Sequence, residues 1–340
     1  MKNKVLLIGA GLSNLVLARL FIDNGYDVEI VEKKLEIGGL CADYWSIRAQ
    51  CWVSRYGPHI LHFDKDTSEA ELFILNNTIL QKYNHTVLCV GKGNITYWPP
   101  NNIYQNLYKF TNPNGSFFNE FIGSYSKKMW GSKYKEVLER IKGRFKFKNV
   151  FDNHFFAGEN VYICKYGFKT LFKNLSKGSK IILGEKISFN LIKDKLNEYD
   201  YVFVSSPIDD FYNNLFGKLK YKGMTFEFKE FETDGSSILP TPTVNLNGNK
   251  KYIRISEYNQ FYDSKSKYRI IGREIPNNVD KIYPINDKKD KIILKRYQDY
   301  SKKFKNLYFV GRLGRYKYLD MDETIQNSIN LFKKLKGGNN

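Results

Sequence analysis

The residues best placed to do chemistry begin near the start of the chain. In GAGLSN, Gly9 and Gly11 lie between an apolar run, KVLLIG, and NLVLARLFIDNG, whose apolar residues recur at helical spacing up to Gly25. Glycines at such a turn let the backbone bend tightly and approach a pyrophosphate seated on the N-terminus of the following helix. Asn14 stands where a third glycine is usual, which predicts slightly looser packing of the helix. The next strand, DVEIVEKK, closes on Glu32, about twenty residues on and placed to accept a ribose hydroxyl, with Lys33 beside it. EIGGLCADYW then supplies Gly38, Gly39 and Leu40 directly after that strand. A glycine pair there marks the flavin-binding subset of βαβ units, because the backbone again comes close to the cofactor.

A second group lies near the other end. VGRLGRYKYLDMDETIQNSI crowds Arg312, Tyr316, Tyr318, Asp320 and Met321 between a strand ending at Gly311 and a helix beginning near Asp322. A loop at a helix N-terminus suits anionic and ring-shaped ligands. Other chemistries are not favoured. Cys41, Cys51, Cys89 and Cys164 are scattered, with no CxxC pair, and read as reduced thiols. His59 and His62 are three apart and could share a helix face, but no cysteine or acid at ligand spacing joins them, so no metal is expected. No catalytic triad or carboxylate pair is evident.

These groups need a scaffold, and 340 residues with 42% hydrophobic content provide for a large core and two or three subdomains. The pattern predicts a βαβ opening, amphipathic helical stretches at about 67–83 and 115–142, and strands at HTVLCV and NITYWPP between them. KIILGEKI and YVFVSSP read as strands that rejoin the first sheet. GMTFEFKEF, TPTVNLN, YIRISEY and YRIIGREI alternate as an antiparallel sheet, and NLYFVGR followed by ETIQNSINLFKKLK reads as a strand and a helix. No run of about 18 apolar residues suggests a membrane span, and the N-terminal apolar stretch is too short for a signal peptide, which predicts a cytoplasmic protein. The formal charge of +19 is spread along the chain without a dense basic run, so nucleic acid is not an expected partner.

With these residues in view the chain resembles the UDP-galactopyranose mutases, flavoenzymes that interconvert the six- and five-membered ring forms of UDP-galactose. RYGPHILH, YSKKMWG, FDNHFFAGENVYICKYGF, SPIDDFYNNLFG, YIRISEYNQF, IYPIND and GRLGRYKYLDM look like that family's blocks, in its order and over nearly the whole chain. The resemblance implies an α/β fold: a Rossmann-like FAD-binding domain with a helical lid subdomain and an antiparallel β-sheet subdomain. The FAD domain would be assembled from 1–66, 167–212 and 304–340, the lid from 67–143, a substrate-sheet segment from 144–166 and the antiparallel sheet from 213–303. FAD contacts implied are Gly9, Gly11, Asn14, Glu32, Lys33, Gly38, Gly39, Leu40, His59, Arg312, Asp320 and Met321. Substrate contacts implied are Tyr125 and Trp130 near the uracil, Arg144 and Arg254 on the diphosphate, and Phe155, Tyr283, Tyr318 and Asp320. Arg144, Arg254, Arg312, His59 and His62 are the residues implied for catalysis. The mechanism implied is nucleophilic catalysis by the cofactor: N5 of reduced FAD attacks the anomeric carbon, UDP is displaced, and the sugar opens through a flavin iminium and recloses. A homodimer is a further expectation of the resemblance.

The chain departs from the family's pattern at Phe155, where a tyrosine contacting the diphosphate is usual, and at Ser54, Asn14 and Ser132. The flavin-side motifs survive better than the nucleotide-side ones, which leaves open a different nucleotide sugar. Two other classes share the opening motif. A flavin amine oxidase would need an electron acceptor and an amine pocket; a non-catalytic flavoprotein would bind an anion without turnover. Isomerisation without net oxidation separates the mutase from both.

Overall fold

The computed structural model describes residues 3–91, 94–100, 102–114, 116–117, 119–131, 153–156, 160–247 and 251–337. Its centre is a five-stranded parallel sheet in the order Lys180–Leu183, Asp27–Glu32, Lys4–Ile8, Tyr201–Val204, Leu307–Phe309. Side chains alternate between the faces of a strand, so the apolar run KVLLI must be covered on both sides. Val5 and Leu7 pack with Leu15, Phe21, Phe172 and Ile325 on one face, beneath the helices Leu12–Asp23, Gly167–Leu175 and Met321–Gly337. Leu6 and Ile8 pack on the other face with Val202, Val204, Phe211 and Tyr297.

Tyr297 belongs to the helix Lys288–Ser301, which lies inside the 213–303 stretch expected to form the antiparallel sheet. The reason is a helical stripe: Ile293, Leu294, Tyr297, Tyr300 and Phe304 recur at helical spacing and face the parallel sheet. Its start is set by a capping box in which the Asp287 side chain accepts from the Asp290 N–H and the Asp290 side chain accepts from the Asp287 N–H.

A second, seven-stranded sheet runs in the order Tyr283–Pro284, Tyr221–Glu232, Tyr268–Asn277, Arg254–Glu257, Thr243–Leu246, Val87–Val90, Ile95–Tyr97. All its pairings are antiparallel except that of Thr243–Leu246 with Val87–Val90. The strands from HTVLCV and NITYWPP therefore belong to this sheet, Ile95–Tyr97 at its edge and Val87–Val90 next to it. The helix expected at 67–83 ends sooner: Ser68–Leu75 is helical, and Leu80–Lys82 is a strand paired with Asn160–Cys164. The polar break Asn76-Asn77-Thr78 stops the helix before the apolar pattern can extend it. Of the helical stretch expected at 115–142, the described part holds Asn119–Gly123 and Ser124–Trp130. His59 and His62 share no helix; His62 lies on the strand Leu61–Phe63. Among the described residues no helix is long and apolar enough to cross a membrane.

Asn14 does not loosen the first helix. It is fully buried, and its Nδ2 donates to Gly9 O at 2.7 Å, Ile8 O at 3.1 Å and Ser205 Oγ at 3.2 Å. One amide thus ties the helix to the ends of two parallel strands and gives Gly9 O a partner, while Ile8 O also accepts from Ser205 N. Asn14→Gly would restore the usual third glycine, yet it is expected to lower folding stability by about 1 kcal/mol through loss of these hydrogen bonds, measured by urea unfolding at neutral pH. An unchanged or higher midpoint would show that those bonds contribute nothing.

Candidate functional site

Two glycine turns meet at the C-terminal ends of Lys4–Ile8 and Asp27–Glu32. Gly11 and Gly38 form a parallel bridge, and Gly38 N donates to Ala10 O at 2.8 Å. Gly38 has φ +114°, and a Cβ there would stand 2.7 Å from the Phe172 ring; Gly9 has φ +92°, and its Cβ would stand 2.5 Å from Ser205 Oγ. Side chains at these two positions would press on Ser205 and Phe172, and one at Gly39 would press on the first turn, its Cβ standing 3.0 Å from Gly11 Cα. Glu32 is buried at the end of its strand, where Oε2 accepts from Ala10 N at 2.7 Å and Oε1 from Lys34 N at 2.9 Å. Its carboxylate therefore braces both turns as well as facing the space between them.

Over these turns opens a cavity of about 560 Å³, lined by Gly9, Gly11, Glu32, Lys33, Gly38, Gly39, Leu40, His59, Arg312 and Met321 among others. Its size suits a dinucleotide. It has the fittings such a group needs: backbone turns that carry no side chain toward it, a helix N-terminus at Leu12, and an acid at the second strand. Asn14 does not line it, and neither do Asp320 and His62. Asp320 opens the helix Met321–Gly337, its N–H donating to Glu323 Oε2 at 2.8 Å. The His62 ring stacks on Phe156 with centroids 4.3 Å apart. His59 is different. Its Nδ1 makes no hydrogen bond, and burial, reinforced by the Arg312 charge, holds its pKa down at about 4. At neutral pH it is an uncharged imidazole on the cavity wall.

Beyond Leu40 and Arg312 the cavity gives way to an aromatic and cationic array. The Arg312 guanidinium donates twice to Leu319 O and lies 5.2 Å from the Tyr283 ring and 4.9 Å from the Tyr318 ring. Tyr283 and Tyr318 stack 5.8 Å apart, and Trp130 meets Tyr283 edge-on at 6.2 Å. Leu40, Tyr125, Trp130 and Tyr283 all pack on one cluster with Met224, Ile253 and Ile282. The structure thus brings together Tyr125, Trp130, Tyr283, Tyr318 and Arg312 from three separated stretches of chain. Tyr316, beside them in sequence, is buried in the parallel-sheet core instead.

Arg254 completes this array from the seven-stranded sheet. Strand register lays one rung across six strands: Phe226, Glu274, Arg254, Asn245, Cys89 and Thr96. Arg254 Nε donates to Asn245 Oδ1 at 3.1 Å, its NH2 to the Tyr125 hydroxyl at 3.4 Å, and its NH1 lies 3.6 Å from Glu274 Oε1. Burial works against the Arg254 charge, but Glu274 and the surrounding phenols hold its pKa above the ordinary value. Burial pushes the Glu274 carboxyl up, and Arg254 pulls it back. Oε1 of Glu274 makes no hydrogen bond.

Glu274 and His85 went unmarked in the sequence. Glu274 could have been found only by setting GREI against YIRIS in register, since its meaning is its cross-strand neighbour. His85 sits among Tyr83, Phe155, Phe156 and Phe261, its Nδ1 without a partner; burial, then the Arg254 charge, lowers its pKa to about 3. Phe155, expected at the diphosphate, packs its ring on Phe156 and His85 and on the cluster of Val87, Cys89 and Trp98. Arg144 and Ser132 lie outside the described residues.

Two consequences can be measured. Glu274→Ala leaves Arg254 without its carboxylate and is expected to cost about 3 kcal/mol of stability, read by denaturant unfolding. A loss below about 1 kcal/mol would mean that solvent already compensates Arg254. His85 binds a proton less readily folded than unfolded, so the unfolded chain gains the proton first as pH falls below 6.5, and stability falls with it. His85→Phe, which lacks that proton, should therefore lose less in melting temperature than the wild type between pH 7 and pH 4. Equal losses would indicate an ordinary histidine.

The family model described as UDP-galactopyranose mutase matches residues 120–318, and one described as an NAD(P)-binding Rossmann-like domain matches residues 7–71. The chain is 27% identical over 372 residues to a probable UDP-galactopyranose mutase of Klebsiella pneumoniae, covering 97% of this chain and 94% of that protein. It is 28% identical over 372 residues to a dTDP-fucopyranose mutase of Escherichia coli, covering 96% and 97%. A crystal structure of reduced UDP-galactopyranose mutase shares the fold, with a TM-score of 0.71 at 12% identity over 98% of this chain and 94% of that one. The first match spans the helix that carries Trp130, the Arg254 rung and the loop of Arg312 and Tyr318. With a dinucleotide-type cavity beside that array, the chain belongs to the UDP-galactopyranose mutase family, a family of isomerases.

Proposed function

We propose that the protein is an FAD-dependent mutase that interconverts the pyranose and furanose forms of a nucleotide sugar, with UDP-galactose as its substrate. The observation that carries this reading is adjacency: Arg312, on the wall of the glycine-floored cavity, lies against the Tyr283 and Tyr318 rings, and Leu40, Met224 and Ile282 of the same wall pack with Tyr125, Trp130 and Tyr283. Reduced FAD, when bound, supplies a nucleophile for the anomeric carbon. The rest falls to this chain's own residues.

In this reading Gly9, Gly11 and the helix N-terminus at Leu12 hold the cofactor's pyrophosphate, and Glu32 and Lys33 its adenosine side. Gly38, Gly39, Leu40, His59 and Met321 flank the ring system. A neutral His59 can accept or donate a hydrogen bond there without adding charge. Arg254 fixes the substrate diphosphate, its orientation already set by Asn245, Tyr125 and Glu274. Arg144, which lies outside the described residues, is assigned to the same diphosphate by the resemblance alone. Trp130 and Tyr125 form a platform for the base, while Tyr283, Tyr318 and Asp320 border the sugar. The aromatic walls exclude water, which would otherwise compete for the anomeric carbon. An isomerisation of this kind balances without an electron acceptor. A soluble nucleotide sugar as substrate accords with a cytoplasmic enzyme.

The relative of Escherichia coli named as a dTDP-fucopyranose mutase is about as similar as the Klebsiella one. This supports a thymidine diphosphate sugar as the second candidate. The test is to incubate dithionite-reduced, FAD-loaded protein with UDP-galactofuranose and, separately, with dTDP-fucofuranose, beside oxidised controls, and read the ring form by chromatography. Pyranose formed only under reduction is expected, and the faster substrate names the specificity. Conversion of neither by folded, yellow protein would overturn the reading. Arg254→Ala should lower kcat/KM by roughly 10²- to 10³-fold, the range for truncating one member of a buried charge pair.

A further inference from the structure

A second cleft lies on the far side of the loop that carries Arg312 and Tyr318. It measures about 620 Å³, and its wall includes Lys302, Lys305, Arg315 and Lys317 but no aspartate or glutamate. Four cations converge there from two elements, the end of the helix Lys288–Ser301 with the turn after it, and the segment following Gly311–Gly314. Their partners are unequal. Lys302 Nζ pairs with Asp299 at 2.9 Å, and Arg315 NH1 donates to the Asn327 amide oxygen at 3.1 Å. Lys305 and Lys317 form no ion pair among the described residues, and both are exposed. The buried Asp290 near this wall is taken up by the Tyr316 hydroxyl at 2.8 Å and by the capping box of its own helix.

Like charges held around a concave surface without acids repel one another, and a bound polyanion relieves that repulsion. Phe304 and Phe309 also line this cleft, while the Tyr308 ring packs on Phe203 on the other face of the sheet. Flat rings beside convergent cations are the complement of an aromatic group joined to phosphates, and the volume is that of a nucleotide site. We propose that this cleft binds a nucleoside diphosphate, its phosphates on Lys305, Arg315 and Lys317 and its base against the aromatic wall. The site is separate from the dinucleotide cavity: the two share no lining residue, Arg312 and Leu313 lining the cavity and Gly314 to Lys317 the cleft.

The test is equilibrium dialysis of FAD-loaded holoenzyme against radiolabelled UDP at low salt. The wild type should bind two UDP per chain, and Arg254→Ala, which weakens the substrate site, should retain one. In that background Lys305→Glu with Lys317→Glu should weaken the remaining UDP by at least tenfold, while Lys305→Gln with Lys317→Gln weakens it less. Both lysines are exposed, so folding is checked simply by retained FAD. Unlabelled inorganic pyrophosphate should displace this UDP, but only at concentrations at least threefold higher than UDP itself. One UDP per chain in the wild type, or binding indifferent to the charge reversals, would overturn the proposal; pyrophosphate as effective as UDP would remove the base from it. The proposed mutase activity fails separately, because it reads on Arg254 and on furanose turnover, neither of which involves the two lysines.

Discussion

A guanidinium held inside a β-sheet rung is the constraint on which this architecture turns. Arg254 is charged and largely withdrawn from water, which is tolerable only if nearby groups replace its hydration. Asn245 and Glu274 do so from the two flanking strands, and Tyr125 does so from the helix Ser124–Trp130. Satisfying one cation therefore fixes the register of three strands and the seat of one helix at once. It also leaves the cation on the sheet face that looks toward Tyr283, Tyr318 and Arg312, so the same bonds that stabilise the sheet aim its charge.

The parallel sheet solves a different problem. Its glycine turns must come close enough to pair, Gly11 with Gly38, while leaving a channel above them. Asn14 and Glu32 hold this geometry from below, one through backbone carbonyls and one through backbone N–H groups. A residue that breaks the usual glycine pattern and a residue expected to touch only ligand thus prove to be parts of one hydrogen-bonded scaffold. Leu40 and Arg312, on the cavity wall, reach the aromatic cluster, which is why the cavity and the cationic array adjoin.

Local signals were legible from the sequence and non-local ones were not. The βαβ opening, the glycine turns and the alternation of YIRISEY and YRIIGREI depend on neighbours within a few residues, and each appears as read. The helix Lys288–Ser301 was hidden by its lysines, although its apolar stripe was present in the pattern. Glu274 and His85 were invisible for a deeper reason: a glutamate in GREI and a histidine in YNHTV acquire meaning only from strands that sit opposite them in space. Asn14 was misjudged because a missing glycine was weighed as lost contact, when the added amide forms bonds of its own.

The central strand Lys4–Ile8 has a temporal consequence for the growing chain. One of its parallel neighbours, Asp27–Glu32, follows within the first turn of sequence, but the other, Tyr201–Val204, is almost two hundred residues later, and Leu307–Phe309 beyond it later still. Until those segments leave the ribosome, one edge of this apolar strand has no partner. The five strands between Tyr221 and Pro284 can assemble first, because they are close in sequence. The nucleotide-binding half, first to be synthesised, is then the last to close, and its newborn strand edge is the part most exposed to misassociation or chaperone capture.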